Sequence, residues 1–267
     1  MTAPKPDPTP DGDRADAPRQ PRPGTRGVGL GARYARRVGP EHVGQRVSLR
    51  RWVDDPGRGP VQSDVVGRLL AHDDEVLLLV DRRHQLHVVD AARVLASRVV
   101  PPHPRMEDEP HVGTRDAPLE RDAARVLLLD ARDRVLLVAH LPEPDRTVWT
   151  APGGGLQPGE DHETAARREL LEELGLDVEL GPWIWSRAGT FPFRGIWLYQ
   201  RERWYLARGE LDPADSPLDD VGIEEARWWS LDALRAEVPA TGPRRLADEL
   251  ASLLADGPPS EPVDVGF

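Results

Sequence analysis

Carboxylates crowd a short segment behind a glycine-rich turn in the middle of the chain. The segment GGGLQPGEDHETAARRELLEELGLDV begins at Gly153, and three of its glutamates, Glu169, Glu172 and Glu173, lie within five residues. Like charges three and four residues apart on a helix repel, and each pair destabilises the helix by about 0.2–0.5 kcal/mol. A stretch that carries this cost is expected to use its carboxylates for binding or for chemistry.

The spacing predicts a helix from Asp161 to Leu174 whose glutamates share one sector. At about 100° per residue, Ala166, Leu170 and Leu174 form an apolar stripe that can pack on a sheet. The three glutamates fall on a neighbouring sector and point into one volume. Hard divalent cations bind several oxygen ligands. The pattern therefore predicts a site for Mg²⁺ or Mn²⁺, in which the bound metal offsets the repulsion.

The residues around this helix fit the same purpose. Arg168 can orient one of the glutamates or balance their charge when no metal is bound. Gly154, in a run of three glycines, lets the backbone approach a ligand or metal closely and offers a carbonyl oxygen. Glu160 lies at the helix start, where the macrodipole favours negative charge. Gly175 ends the helix as a C′ glycine does.

The spacing of these residues resembles the Nudix box. Gly154 is followed after five residues by Glu160, and after seven more by Arg168-Glu169-Leu170-Leu171-Glu172-Glu173-Leu174-Gly175-Leu176. The resemblance covers about Arg121 to Leu254. It implies a domain of mixed α/β (α+β) class, an α-β-α sandwich around a mixed sheet. It also implies hydrolysis of a nucleoside diphosphate linked to another group.

The resemblance further implies a role for each residue of the box. Glu172 and Glu173 would be metal ligands, and Glu169 would be a ligand or the base that activates water. Arg168 would orient the carboxylates, and Gly154 would contribute its backbone. The chemistry is attack of water on a phosphorus of a pyrophosphate, with metal ions neutralising the developing charge.

More acidic candidates lie downstream of the box. Family members often take one further acidic ligand or base from a distant loop or strand. Glu224 and Glu225, just before ARWWSLDAL, are the first candidates, and Glu202 in QRERWYLAR is the second. His140, at the end of a predicted strand, can face either side of the sheet.

The segment TFPFRG supplies the substrate-binding candidates. Phe191 and Phe193 offer rings on which a base can stack, and Arg194 can contact phosphate. Most of the other aromatic residues that follow the box are expected to fill the core of the sheet.

Composition divides the chain into five segments. Residues 1–31 are proline-rich and charged and are expected to form a disordered tail. Residues 40–101 contain short strands that predict a small all-β barrel, followed by a linker over 102–120. The hydrolase domain is placed at 121–256, and 257–267 are expected to be flexible. The order WVDD, DVVGRLL, VVPP in the barrel resembles the Src-homology-3-like barrel ahead of some actinobacterial acetyltransferases, which names a shape rather than an activity.

Bulk composition restricts the classes of partner. The 267 residues carry a net charge of −11 and no cysteine, which disfavours nucleic acid as a partner and excludes disulfides and thiolate chemistry. The chain shows neither an apolar run of membrane-spanning length nor a secretory signal, so a cytoplasmic protein is expected. A homodimer is an expectation of the resemblance alone.

Two classes of function stay open on the sequence. The first is a metal-dependent pyrophosphohydrolase that acts on a nucleoside triphosphate, an ADP-ribose-like compound or another nucleotide derivative. The second is a non-catalytic sensor that binds a nucleotide or metabolite and uses the barrel as an interaction module. The complete set of box glutamates favours the enzyme. The barrel itself is either such a module or a cap that stabilises the catalytic domain.

Overall fold

The structure is a computed structural model, and it describes most of the chain. The described residues are 36–55, 58–102, 112–143, 146–218, 223–237 and 240–267. The predicted tail over 1–31 lies outside them, as does the part of the predicted linker at 103–111. Within the described part, no helix is both long and apolar enough to cross a bilayer.

Five strands in the first part of the chain pair into an antiparallel sheet. They are β1 (Arg46–Asp55), β2 (Gly59–His72), β3 (Val76–Val80), β4 (Leu86–Asp90) and β5 (Val94–Val99). Their order is β4-β3-β2-β1-β5, and we call this unit the amino-terminal sheet. Side chains at alternating positions, such as Val47 and Leu49, fill its core. The pairings of the described residues do not join β4 to β5, so closure into a barrel stays a prediction.

The rest of the chain builds a nine-stranded mixed sheet. Its strands are β6 (Leu119–Leu129), β7 (Val135–Glu143), β8 (Arg146–Thr150), β9 (Gly153–Gly155), β10 (Leu180–Phe193), β11 (Ile196–Arg208), β12 (Ile223–Trp229), β13 (Thr241–Gly242) and β14 (Val263–Asp264). The main path runs β13-β8-β7-β6-β11-β10-β14, with β12 on β7 and β9 on β6. The pairs β6–β11, β8–β13 and β10–β14 are parallel.

Helices cover both faces of this sheet. On one face lies α1 (His162–Leu174), whose Ala166, Leu170 and Leu174 are buried as predicted. The opposite face is covered by α2 (Leu231–Glu237) and α3 (Leu246–Asp256), whose leucines pack into a second core. The α-β-α sandwich with a mixed sheet is therefore confirmed.

The last residues of the chain differ from expectation. The sequence predicts a flexible end over 257–267, because its prolines and charges show no periodicity. Instead, β14 pairs with β10 next to Trp185, and Val265 is buried. The ring of Phe267 stacks on that of Phe191 with 5.2 Å between centroids. Val265 and Phe267 thus anchor a segment whose composition suggests that it has no regular structure.

One strand of the amino-terminal sheet is buried on both faces and joins the two sheets. Every residue of β3 is buried. Leu77 and Leu79 face the core of their own sheet. The opposite side chains form a separate cluster, which we call the junction core: Val76, Leu78, Val80, Leu119, Ile196 and Leu198. This shared core makes the two sheets depend on each other for burial of apolar surface.

We predict that Leu78→Ala weakens both sheets together. Leu78 is fully buried in the junction core, and such truncations lower the free energy of unfolding by about 2–5 kcal/mol. The control is Val66→Ala in β2, where the side chain is 37% exposed and the expected change is within about 0.5 kcal/mol. Urea unfolding followed by circular dichroism and tryptophan fluorescence should give one shifted transition for Leu78→Ala. Two separate transitions, with only one shifted, would contradict the shared core.

Candidate active site

The two ends of α1 are fixed by local hydrogen bonds. The carboxylate of Asp161 accepts the Thr164 N–H at 2.8 Å and caps the first turn. At the other end, Gly175 has a φ of 65°, and its N–H donates to the Leu171 carbonyl at 3.0 Å. A residue with a side chain is strained in that left-handed conformation. The capped helix therefore holds its glutamates at a fixed height over β9.

Two of the box glutamates lie directly against the glycine strand. Glu173 is fully buried, and its Oε2 accepts the Gly153 N–H at 2.9 Å. Glu169 is 7% exposed. A Cβ on Gly154 would lie 2.5 Å from Oε1 of Glu169, so the carboxylate fills the space that any side chain there would need. A side chain at this position would displace the Glu169 carboxylate from its place against the strand.

Arg168 connects the carboxylates to one another. Its Nε and Nη2 donate to both oxygens of Glu160, at 2.9 and 3.0 Å. Its Nη1 donates to Glu169 at 2.8 Å and to Glu172 at 2.9 Å, and its Nη2 also reaches the Gly155 carbonyl. We call this set of contacts the arginine hub. The positive charge of Arg168 offsets the repulsion among the glutamates that the sequence predicts for this helix.

The hub shifts the protonation equilibria of its members. Burial alone would lower the pKa of Arg168, but the hydrogen bond to Glu160 and the charges of Glu169 and Glu172 outweigh it and raise that pKa. Burial would likewise raise the pKa of Glu160, but its bonds to Arg168 and to the Gln157 N–H leave it lowered. Both groups therefore stay charged at neutral pH.

A cavity of about 510 Å³ lies at the glycine strand, where Gly153 and Gly154 line it, and no residue of α1 is among its described lining residues. Its lining also carries basic side chains: Arg121, Arg125, Arg146, Arg187 and Arg244. The aromatic side chains of the lining are Phe191, Phe193 and Phe267. Its wall thus combines positive charge with apolar rings.

Glu202 anchors two of these arginines from beneath the cavity. Its Oε2 lies 3.0 Å from Nε of Arg187, and its Oε1 lies 3.6 Å from Nε of Arg125. Gln200 and Trp204 donate to the same carboxylate at 2.6 and 2.8 Å. Burial would raise the pKa of Glu202, but the two arginines and these hydrogen bonds lower it. Both oxygens are already engaged, which favours an orienting role over that of a general base.

His140 is held neutral beside the same arginines. Burial, together with the charges of Arg125 and Arg121, lowers the pKa of His140 to about 3. Its Nε2 is buried without a hydrogen-bond partner among the described residues. His140 lies within β7 rather than at its end, and it also lines the cavity, to which it adds a polar but uncharged group.

The remaining candidates fall into two groups. Phe191 and Phe193 line the cavity, but Arg194 is not among the described lining residues. Its Nη1 instead donates to Glu75 at 2.9 Å, because the two-residue turn aims the side chain at the amino-terminal sheet. Glu224 and Glu225 are exposed on β12 and do not belong to the described lining. Their strand pairs with β7, and their role as a distal ligand or base stays a prediction.

The donor set at α1 fits a hard divalent cation. Three carboxylates and the carbonyl of Gly154 are oxygen donors of the kind that Mg²⁺ and Mn²⁺ prefer. The Glu169 carboxylate already occupies the cradle above Gly154. No group of three acidic or histidine side chains among the described residues is assembled as a metal cluster. Glu169 and Glu172 contact Arg168 instead, so binding requires these carboxylates to turn from the arginine towards the metal.

Several residues that line the cavity lie outside the Nudix box and are not predicted by it. Arg121 and Arg125 lie four residues apart on β6, and Arg187 pairs across strands with Glu202. The available signal was a set of charged residues at even spacing within otherwise apolar strands, which must point to a common face. Phe267 gave no such signal, because its contribution depends on the pairing of β14.

Comparison with known proteins agrees with this geometry. The family model for the NUDIX domain matches residues 119–250. An RNA pyrophosphohydrolase from Rhodospirillum rubrum is 31% identical over 131 residues, covering 43% of this chain and 76% of that protein. The chain therefore belongs to the Nudix family, as the box predicts, and it is a hydrolase that acts on pyrophosphate bonds.

Two further proteins match part of the chain. An NAD-capped RNA hydrolase, NudC, from Stutzerimonas stutzeri is 32% identical over 111 residues, covering 42% of this chain and 37% of that protein. The crystal structure of a MutT NUDIX hydrolase from Burkholderia pseudomallei is 25% identical, with a TM-score of 0.41, and covers 49% of this chain and 97% of that one.

We predict that Arg168→Lys disables the site while leaving the fold intact. A lysine keeps the charge but loses the planar fork that reaches Glu160, Glu169 and Glu172 together. Loss of a group that orients ligands typically lowers activity or metal affinity by about 10–100-fold. The matched control is Arg167→Lys, because Arg167 points away and donates to the Val178 carbonyl. Equal activity of the two variants in a steady-state assay would show that the hub has no role.

We predict that His140 makes the fold sensitive to acid. Its folded pKa of about 3 lies below the ordinary value of 6.5, so only the unfolded chain binds the proton between these values. Stability due to the neutral ring is complete above pH 6.5 and decreases as the pH falls towards 3, by up to about 1.4 kcal/mol per pH unit. Unfolding of His140→Asn should depend less steeply on pH than that of wild type. Parallel curves for wild type and His140→Asn would contradict the shift.

Proposed function

We propose that this Nudix hydrolase is a metal-dependent enzyme that cleaves a nucleoside diphosphate linked to another group, with the arginine-lined cavity as its substrate site. One observation carries the proposal. The glycine strand that supports Glu169 and Glu173 is also the end wall of the cavity. No side chain of α1 is among the described lining residues, and the proposal is that a phosphate bound at β9 comes within reach of a metal held by the α1 carboxylates.

The charge of the cavity supports an anionic substrate. The chain as a whole carries a net charge of −11, yet the described lining holds five arginines and a single carboxylate, Glu202. That carboxylate is itself paired with Arg187. Guanidinium groups bind phosphate oxygens through paired hydrogen bonds. The local field therefore favours a polyphosphate against the overall charge of the protein.

The cavity wall also carries the rings of Phe191, Phe193 and Phe267, which we call the aromatic end. These rings support a nucleotide as the substrate that carries the phosphates. Phe191 and Phe267 stack at 5.2 Å, and Arg187 lies 4.2 Å from the centroid of the Phe267 ring. Phe193 adds a third ring to the lining. Rings of this kind can contact the face of a base, while the arginines hold the phosphates towards β9.

The residues of α1 then take defined roles in the hydrolysis. Glu172 and Glu173 are the proposed metal ligands, and Glu169 is a ligand or accepts the proton of the attacking water. A bound Mg²⁺ or Mn²⁺ supplies positive charge to the phosphate oxygens. The water oxygen bonds to one phosphorus, the bridging P–O bond breaks, and the departing phosphate retains its electron pair. Before the metal binds, Arg168 holds Glu169 and Glu172 in place and balances their charge.

The identity of the substrate is best sought among compounds that share a pyrophosphate. Nucleoside triphosphates, ADP-ribose and dinucleotides fit the charge and the aromatic rings of the cavity. Triphosphorylated and NAD-capped RNA ends belong in the same panel, because two relatives are named for reactions at such ends. The acidic surface disfavours a long contact with RNA, so only the terminal nucleotide is proposed to enter the cavity.

We expect turnover with at least one member of this panel in the presence of Mg²⁺ or Mn²⁺, and none in excess EDTA. Glu173→Gln should lower kcat by about 100- to 1000-fold, because removal of one electrostatic contact at a reacting centre commonly has this effect. Products are separated by ion-exchange chromatography, and their identity shows which bond is cut.

The control is Glu224→Gln, an exposed acidic position on β12 outside the described lining, which should retain wild-type rates. Saturable binding of a nucleotide without turnover, with any divalent metal, would favour a sensor. Turnover that survives both EDTA and Glu173→Gln would contradict the metal-dependent mechanism.

A further inference from the structure

We infer that the amino-terminal sheet is part of the substrate site, with Val88 as a specificity-determining residue on the cavity wall. The inference rests on the proposed function of the cavity. It assigns the sheet a positioning role in catalysis, in place of an independent interaction module. Three contacts carry it: one lies on the cavity wall, and the other two hold segments that directly follow lining residues.

The first contact is the wall itself. Val88 lies on β4, opposite Leu78 of β3, and it lines the cavity together with Phe191 and Phe193. The same three side chains pack against the junction core. A residue some 30 positions ahead of the hydrolase domain therefore forms part of the surface that faces the aromatic end.

The second contact holds the hairpin that carries the phenylalanines. Arg194 and Gly195 form its two-residue turn, with φ values of 44° and 84°, as a tight turn between right-twisted strands requires. Nη1 of Arg194 lies 2.9 Å from Glu75 and 3.4 Å from Asp73, in the turn between β2 and β3. The Arg194 side chain is only 9% exposed. Arg194, which the sequence predicts to contact phosphate, thus holds the hairpin against the amino-terminal sheet.

The third contact holds the loop on the other side. Nε2 of Gln85 donates to the carbonyl of Leu156 at 3.0 Å. Leu156 directly follows β9, and its N–H donates to the Asp122 carbonyl at 3.0 Å. The sheet therefore reaches the segment between the glycine strand and α1, while Arg194 holds the hairpin.

Together these contacts set the width of the aromatic end. Phe191 stacks on Phe267 and packs, like Val88 of the amino-terminal sheet, against the junction core. All three side chains line the cavity. A shift of the sheet would therefore move Val88 and, through Arg194, the hairpin that carries Phe191.

The test compares one substitution at two sites of the sheet. Val88→Phe narrows the cavity, whereas Val66→Phe adds the same ring to an exposed position on β2. We expect Val88→Phe to raise KM and the Kd for ADP by about tenfold, since small volume changes in a pocket have effects of this order, with kcat within about twofold of wild type. Val66→Phe should match wild type in all three constants. Equal constants for the two variants would overturn the inference.

The ion pair provides a second test by charge exchange. Arg194→Glu and Glu75→Arg should each raise KM by roughly threefold, a change that suits a partly exposed pair. The double variant should recover most of this loss, because the exchanged charges again attract. The control is the exposed Arg50–Asp64 pair of the same sheet, 2.7 Å apart, where the same exchange should leave KM unchanged. Single variants with wild-type KM would contradict the positioning role.

The readouts separate this inference from the proposed function. ADP binding is measured by calorimetry on the full chain, independently of turnover. Wild-type turnover with indistinguishable Val88→Phe and Val66→Phe leaves the enzyme assignment standing and removes the role of the sheet. ADP binding that is weakened only by Val88→Phe, without turnover of any substrate, keeps the role of the sheet and removes the catalytic proposal. Absence of both binding and turnover in wild type overturns both.

Discussion

Arg168 of helix α1 contacts three carboxylates, one just ahead of the helix and two on it, and the arrangement of the site depends on how their charges are balanced. Two of the box glutamates are buried against a glycine strand, where an uncompensated charge is costly. The guanidinium reaches Glu160, Glu169 and Glu172 at 2.8–3.0 Å, while backbone N–H donation from Gly153 serves Glu173. Helix α1 can therefore approach β9 closely, and β9 in turn contributes Gly153 and Gly154 to the wall of the basic cavity.

In the cavity, a buried carboxylate balances arginine charges, whereas at α1 an arginine balances carboxylates. Arg125 and Arg187 would repel each other in a dry wall, and the buried Glu202 between them offsets that repulsion. His140 stays neutral beside the same arginines. A net positive field then remains for a polyphosphate within a protein of charge −11. Because one carboxylate neutralises only part of the arginine charge, the proposed ligand completes the electrostatic balance of the cavity.

The sequence could predict those parts of the molecule in which local spacing decides the structure. The helix, its capping residues, its apolar stripe and the sandwich fold all follow from periodicity and from the box. The role of Arg194 did not follow, because a loop arginine looks the same whether it meets a phosphate or Glu75 of another domain. The sequence favours Glu224 and Glu225 over Glu202 as the additional acidic group, because only strand register shows which of them points into the core. The paired C-terminal segment depends on two apolar anchors that composition conceals.

The most direct test of the central claim is hydrolysis in ¹⁸O-labelled water in the presence of Mg²⁺, with the products analysed by mass spectrometry. The account predicts one ¹⁸O atom in a single phosphate-containing product of the wild-type reaction, with both products derived from a pyrophosphate bond. Glu173→Gln should yield neither product above background. Label incorporated at equal rates by wild type and Glu173→Gln, or cleavage at a bond other than a pyrophosphate, would contradict the account.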